Sequence, residues 1–172
     1  MNVLKIKESD RILSFTFDDL VNFHGTRSIC GLTVGYKVLE RAFGALGADV
    51  TPLARPDISV STAFPGPGAR DAFECVTRAV SRERYNIVKD VRPSENVAEA
   101  AFGAYWFRVT YGFYSIDLGV KPDVIRPDFL ALRRKEKAGE VEEAELAVFR
   151  DLQWELSDRI REQPAEAVVN LL

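Results

Sequence analysis

The chain is short of the residues that most often announce a site. Its 172 residues include one histidine, two cysteines and one methionine. Two cysteines cannot build the multi-bridge framework of a small secreted domain, so Cys30 and Cys75 read as free thiols in a reducing cytoplasm. No CxxC or HExxH occurs, and no second Cys-His pair lies near the first, so local spacing writes no complete zinc signature. Excess charge is also lacking. Lys and Arg number 23 against 26 Asp and Glu, for a net charge of -3. Without a basic stripe along any helix, a nucleic-acid footprint is excluded. Arg78, Arg82, Arg84 and Lys89 gather near one helix-to-strand turn, where they read as solvated. No window approaches the roughly 20 apolar residues of a membrane span. Met1 to Asp10 alternates charged and aliphatic residues with no apolar h-region, so neither secretion nor membrane insertion is expected.

What remains is an ordinary globular composition, 47% hydrophobic and 28% charged, with enough length for one real core. Thr16 suits an N-cap, and Asp18 and Asp19 suit the first turn of a short helix. Gly25 can end that helix in a left-handed conformation, leaving His24 beside a sharp turn. A longer helix runs from about Cys30 to Leu46, with Leu32, Tyr36, Leu39, Phe43 and Leu46 on one apolar stripe. Gly44, Gly47 and Asp49 end it. Gly31 and Gly35 inside it each cost about 1 kcal/mol relative to alanine. Either the close approach of a ligand or backbone, or tight packing on a neighbouring element, would account for them.

Further on, Ile58 to Ala63 alternates like a strand. Pro65-Gly66-Pro67-Gly68 is a rigid turn leading into a helix to about Val80, with Ala72, Cys75, Val76 and Val80 facing inward. Arg84–Val91 reads as a strand, and Pro93 to Ala100 as a connection with room for one helical turn. Ala104 to Thr110 and Tyr111 to Ile116 are aromatic and β-branched strands, with a tight turn near Thr110 to Gly112. Pro127 opens a basic helix to about Lys137, Ala138-Gly139 breaks it, and Val141 to Arg161 is a second long helix. The expectation is an α+β fold, a mostly antiparallel or mixed sheet with helices on one face. Residues 1–122 form its core domain, and 123–172 a C-terminal helix pair that packs on the core or on a partner chain.

His24 and Cys30 are the candidate chemistry. A helix N-terminus lowers a thiol's pKa, and the thiolate is the form that binds metal or attacks. Imidazole plus thiolate is half a ligand set for zinc or a related ion; Asp71, Asp18, water or a second chain would have to complete it. Cys75 lies on the apolar face of its helix and reads as core packing. Gly31 to Gly35 lacks the preceding strand that a phosphate-binding loop requires. No nucleophile-elbow context supports a Ser-His-Asp triad.

The residues Phe23-His24-Gly25 followed by Gly31-Leu32-Thr33-Val34-Gly35-Tyr36 resemble the N-terminal signature of the formylmethanofuran dehydrogenase E-subunit family. That signature is Phe-His-Gly-His-x-Cys-Pro-Gly, three further residues, then Gly-Tyr or Gly-Phe. Phe17 to Val21 fits the segment leading into it. Asp71-Ala72-Phe73-Glu74-Cys75-Val76 is similar to the family's second landmark, a Cys-x-x-Asp-Ala helix start, and Tyr85 to Asp90 to the strand after it. The likeness covers roughly Thr16 to Ile116. It implies an α-β-α-β-β-β core, a prokaryotic homodimer, and an accessory role beside a molybdenum or tungsten oxidoreductase partner. It also implies a divalent metal such as zinc held by His24, Cys30 and Asp71. The chain departs from the pattern in four ways. Thr26 replaces the second histidine, one residue is inserted before Cys30, Gly68 stands where the second-landmark cysteine would fall, and no zinc ribbon follows. Two other expectations stand beside metal or small-ligand binding: a dimeric scaffold that no longer binds metal, and an enzyme with Cys30 as nucleophile and His24 as base.

Overall fold

The computed structural model describes residues 3–48 and 50–172; Asp49, expected at a helix end, lies outside them. The first elements are two strands absent from the sequence-based expectation. β1 (Leu4–Glu8) and β2 (Arg11–Phe15) pair antiparallel across Ser9-Asp10. Leu4 and Ile6 of β1 are buried while Lys5 and Lys7 are exposed, the period-two pattern of a half-buried strand.

α1 (Phe17–His24) starts on the expected cap. Thr16 Oγ1 accepts from the Asp19 amide at 3.2 Å, and the Thr16 amide donates back to Asp19 Oδ2 at 2.7 Å, a reciprocal capping box. Gly25 ends it at positive φ, but its ψ of -166° is extended rather than left-handed helical. α2 (Ile29–Ala45) ends in a Schellman turn, with the Ala48 amide bonded to Phe43 O and Gly47 at positive φ. The expected single stripe is too narrow a description of α2. Val34 and Val38 are buried as fully as Leu32, Tyr36 and Leu39, because α3, α5 and the sheet enclose the helix.

β3 (Leu53–Ala54) lies parallel on β1. β4 (Ile58–Thr62), α3 (Pro67–Thr77) and β5 (Tyr85–Ile87) follow. β5 is much shorter than the Arg84–Val91 strand expected, and it pairs parallel to β4. α3 ends three residues before Val80, at Arg78 in the left-handed conformation. Residues 93–100 contain no helical turn; they carry isolated bridges from Ser94 to Val97 and from Glu99 to Ala104. β6 (Trp106–Tyr111) and β7 (Tyr114–Val120) form a hairpin closed by Gly112-Phe113, with Gly112 supplying the positive φ such a loop needs. α4 (Pro127–Ala138) and α5 (Glu143–Glu162) match the expected pair, and α6 (Ala165–Val168) and β8 (Val169–Leu171) come after.

The larger sheet has the order β5-β4-β6-β7-β8 and is antiparallel except at β4–β5, so the fold is α+β with a mixed sheet. Its register places Thr62, Phe107 and Leu118 in one row and Val60, Val109 and Ile116 in the next, all turned toward the helices. Arg108 and Asp117 on the other face form a two-pronged ion pair at 2.5 and 2.7 Å. Residues 123–172 join the same core. Thr33 on α2 meets Ser157 on α5 at 2.6 Å, Lys37 Nζ donates to Gln163 O at 2.7 Å, and β8 extends the sheet beside β7.

The helix glycines are explained by α3. A Cβ built on Gly35 would sit 2.7 Å from Ala72 Cβ and 2.9 Å from Ala69 Cα. One on Gly68 would sit 2.5 Å from both Leu32 N and Ser28 O. Gly31 lies against Gly68, and Gly35 against Ala69 and Ala72. The pairing advances in the same direction along both chains, so α2 and α3 run parallel at backbone contact. Tight packing is the reason for Gly35 and Gly68; Gly31, at 3.7 Å, has room for a methyl group.

Candidate functional site

Two of the three expected residues come together. His24 at the end of α1 and Asp71 on α3 meet at 2.7 Å, Nδ1 to Oδ2. The imidazole is nearly buried, and its Nε2 is enclosed without a hydrogen-bond partner among the described residues. The other oxygen of Asp71, Oδ1, accepts from Arg70 Nη1 at 3.2 Å. Near it, burial pushes the Tyr85 hydroxyl well above the usual tyrosine range, with Arg70 and Asp71 acting on it in opposite directions. That hydroxyl is also buried without a described partner.

Cys30 is not placed with them. It is the second residue of α2, but its side chain is in the core, 1% exposed. Desolvation pushes its thiol up to about 12, against a small opposing pull from Arg159. The helix-end effect that favours a thiolate operates on partly exposed groups; here the loss of hydration outweighs it. A neutral thiol at ordinary pH is neither a ready ligand nor a nucleophile. Among the described residues no group of three or more His, Cys, Asp and Glu side chains is placed to hold a metal ion. Asp18 is likewise part of no such group. Cys75 is a buried thiol raised by desolvation, as a core cysteine should be.

A cavity of about 310 Å³ opens where the N-termini of α2 and α3 meet α4. Phe64, Phe102, Tyr105 and Phe129 give it aromatic walls, and the Pro65-Gly66-Pro67-Gly68 turn closes one side. Phe64 stacks on Tyr105 with centroids 4.2 Å apart. Its polar lining comes from four places: Ser28 before α2, Tyr105 before β6, Arg133 and Lys137 on α4, and Gln153 on α5. Tyr105 is 3% exposed and Gln153 9%. Neither side chain makes a hydrogen bond to a described residue, and neither polar group is enclosed as His24 Nε2 and the Tyr85 hydroxyl are, so both are open to the cavity. Ser28 gives no side-chain cap to α2. Cys30 is not part of the lining, although Gly31 beside it is.

Sequence reasoning missed this cavity because its walls are drawn from distant segments. Two local signals pointed at it: the rigid Pro-Gly turn opening α3, and Arg133 and Lys137 spaced four apart on one side of α4. Compared with known proteins, the chain matches no family model and no curated protein. No helix among the described residues is long and apolar enough to cross a membrane.

Proposed function

We propose that the chain is a small-molecule-binding domain whose site is the cavity between the starts of α2 and α3 and the helix α4. One observation carries this reading. Tyr105 and Gln153 are residues at least nine-tenths buried whose polar atoms stay open to the cavity they line and bond to no described residue. An apolar hollow with a few unpaired polar groups is the general form of a ligand site, and its volume lies at the small end of the roughly 300–1,000 Å³ such sites span. The resemblance to the formylmethanofuran dehydrogenase E-subunit family is consistent with an accessory, ligand-holding role beside an oxidoreductase, and with a homodimer. The exposed Val148 and Trp154 on α5 offer apolar surface for such contacts.

The test is a thermal-shift screen of small aromatic and aliphatic compounds against wild type, Tyr105→Phe and Gln153→Ala. Compounds that raise the wild-type Tm should lose most of that effect in both variants. Equal shifts in all three proteins would put the binding elsewhere.

The metal that the resemblance implies has less support. His24 Nε2 is unpartnered, and a carboxylate on the other ring nitrogen is how a metal-bound imidazole is commonly oriented. But the ligand set is incomplete: Cys30 faces the core, and no group of three or more His, Cys, Asp and Glu side chains forms among the described residues. A zinc titration of wild type and His24→Ala decides between the readings. Equal stoichiometry in the two removes His24 as a ligand, and one site lost with His24 would restore the metal reading.

A further inference from the structure

Parallel packing of α2 on α3 has an electrostatic consequence. Each helix carries the equivalent of about half a positive charge at its N-terminus, where the first amides have no intrahelical acceptor. Antiparallel neighbours cancel these ends against each other; parallel neighbours add them. Here the two starts touch, with Gly68 against Ser28 and Leu32. Neither start is capped by a side chain, since Ser28 makes no cap bond and Gly66 has no side chain to offer.

The charged side chains that line the cavity have the same sign. Arg133 and Lys137 line the cavity from α4, and no Asp or Glu lines it. Arg133 is partly offset by Glu136 at 2.5 Å, while Lys137 has no ion pair among the described residues. At the far end of the α2–α3 pair the opposite holds: Arg55 donates to Cys75 O and Val76 O and so neutralises the negative end of α3. The fold therefore compensates one end of α3 and leaves the other electropositive, next to a cavity.

We infer that this cavity takes a small, flat organic anion, an aryl carboxylate or a compound of that class. The inference rests on the ligand-binding reading above and adds the charge and shape of the ligand to it. The carboxylate lies at the paired helix starts within reach of Lys137, where free amides and a cation meet. The ring lies against the aromatic wall made by the stacked Phe64 and Tyr105 together with Phe129. The Tyr105 hydroxyl and the Gln153 amide serve polar substituents on that ring. The volume suits one or two fused rings. Phe102, half exposed at the cavity, places an apolar side chain where a ligand would enter.

The experiment compares matched probes of equal shape: benzoate and 2-naphthoate, their neutral amides and alcohols, and the corresponding arylmethylammonium ions. Affinity is measured by calorimetry, and contact by amide NMR shifts, on wild type and Lys137→Ala; Lys137 is exposed, so that variant should fold normally. The carboxylates should bind about tenfold or more tightly than the neutral isosteres, and the ammonium ions should bind worst. The largest shifts should fall on the amides of Gly31, Gly68 and Ala69. Lys137→Ala should remove a several-fold part of the carboxylate preference, and added salt should do the same in wild type. Neutral isosteres binding as tightly as the carboxylates, with shifts at the same amides, would overturn the anion assignment and leave the cavity reading standing. No binding by any probe at millimolar concentration would overturn both.

Discussion

The two ends of the α2–α3 pair are built on opposite principles. Where α3 finishes, its end is tied down by side-chain hydrogen bonds, although Arg82 Nη1 in the following turn has no partner among the described residues. Arg55 bonds to two terminal carbonyls at 2.8 and 2.7 Å and reaches Glu8. Glu74 accepts from the amides of Val80 and Ser81, and Thr77 bonds back to Phe73 O at 2.6 Å. Where α2 and α3 begin, the caps are missing, two nearly buried polar side chains are unpaired, and an aromatic cavity lies alongside. Saturated polar networks fix a fold; unsaturated ones at a cavity reserve bonds for something else. By this contrast, one end is closed by its own hydrogen bonds, and the other carries the cavity proposed above as a ligand site.

Substitutions can break that contrast directly. Arg55→Ala should be the most damaging, costing about 3 kcal/mol by chemical denaturation, because it strands two carbonyls in the interior. A cost under about 1 kcal/mol would mean that the closed end is not a stability centre. Gly35→Ala should cost about 1–2 kcal/mol, overpacking against Ala69 and Ala72 outweighing the gain in helix propensity. Gly31→Ala, whose Cβ would make ordinary contacts at 3.7 Å or more, should be neutral or stabilising by up to about 1 kcal/mol. Measured together, the two glycines sharpen the point: the helices leave no room for a methyl group at Gly35 but accept one at Gly31.

Cys30 tests whether the open end is sealed from the core. Its thiol stays protonated in the fold up to about 12, whereas an unfolded cysteine ionises near about 8.5. Between those values only the unfolded chain has released the proton. Stability from this group is therefore complete below about pH 8.5 and declines as pH climbs toward 12. Urea midpoints at rising pH should fall less steeply in Cys30→Ala than in wild type, and native protein at pH 8 should resist alkylation at Cys30. Rapid labelling there would mean that the thiol opens to the cavity. The smallest effect is expected of Tyr105→Phe, within about 0.5 kcal/mol in ligand-free protein, since the hydroxyl removed has no described partner.

Much of the fold could be read in the chain because its signals are local. Thr16 and Asp19 write a capping box three residues apart, and Pro67 and Gly139 mark a helix start and a helix stop. The hairpin β1–β2 was equally legible in the alternation of Leu4, Lys5, Ile6 and Lys7, but the segment reads first as a test for a leader sequence. β3 and β8 are too short to carry a pattern of their own, and their existence depends on partners far along the chain. The site was less legible still. His24 and Asp71 are 47 residues apart, and no spacing rule joins them; in the sequence Asp71 is one of several ways to complete a ligand set, and the family resemblance then favours it. For Cys30 the position in the helix was right and the direction of its side chain was not, since α2 turns out to be enclosed all round. The cavity draws on five segments, and no spacing rule joins Ser28, Tyr105 and Gln153.

β1 sits between a neighbour that follows it across a tight turn and one that arrives much later in the chain. Its pairing with β2 closes across Ser9-Asp10, while Ile6 must find Leu53 only after α1 and α2 have been laid down between them. The first event is fast and nearly free of chain-closure entropy; the second draws in a long loop for two residues of ladder. Amide exchange should therefore find β3 protected last during refolding and released first on partial unfolding, a soft seam in an otherwise tightly knit molecule.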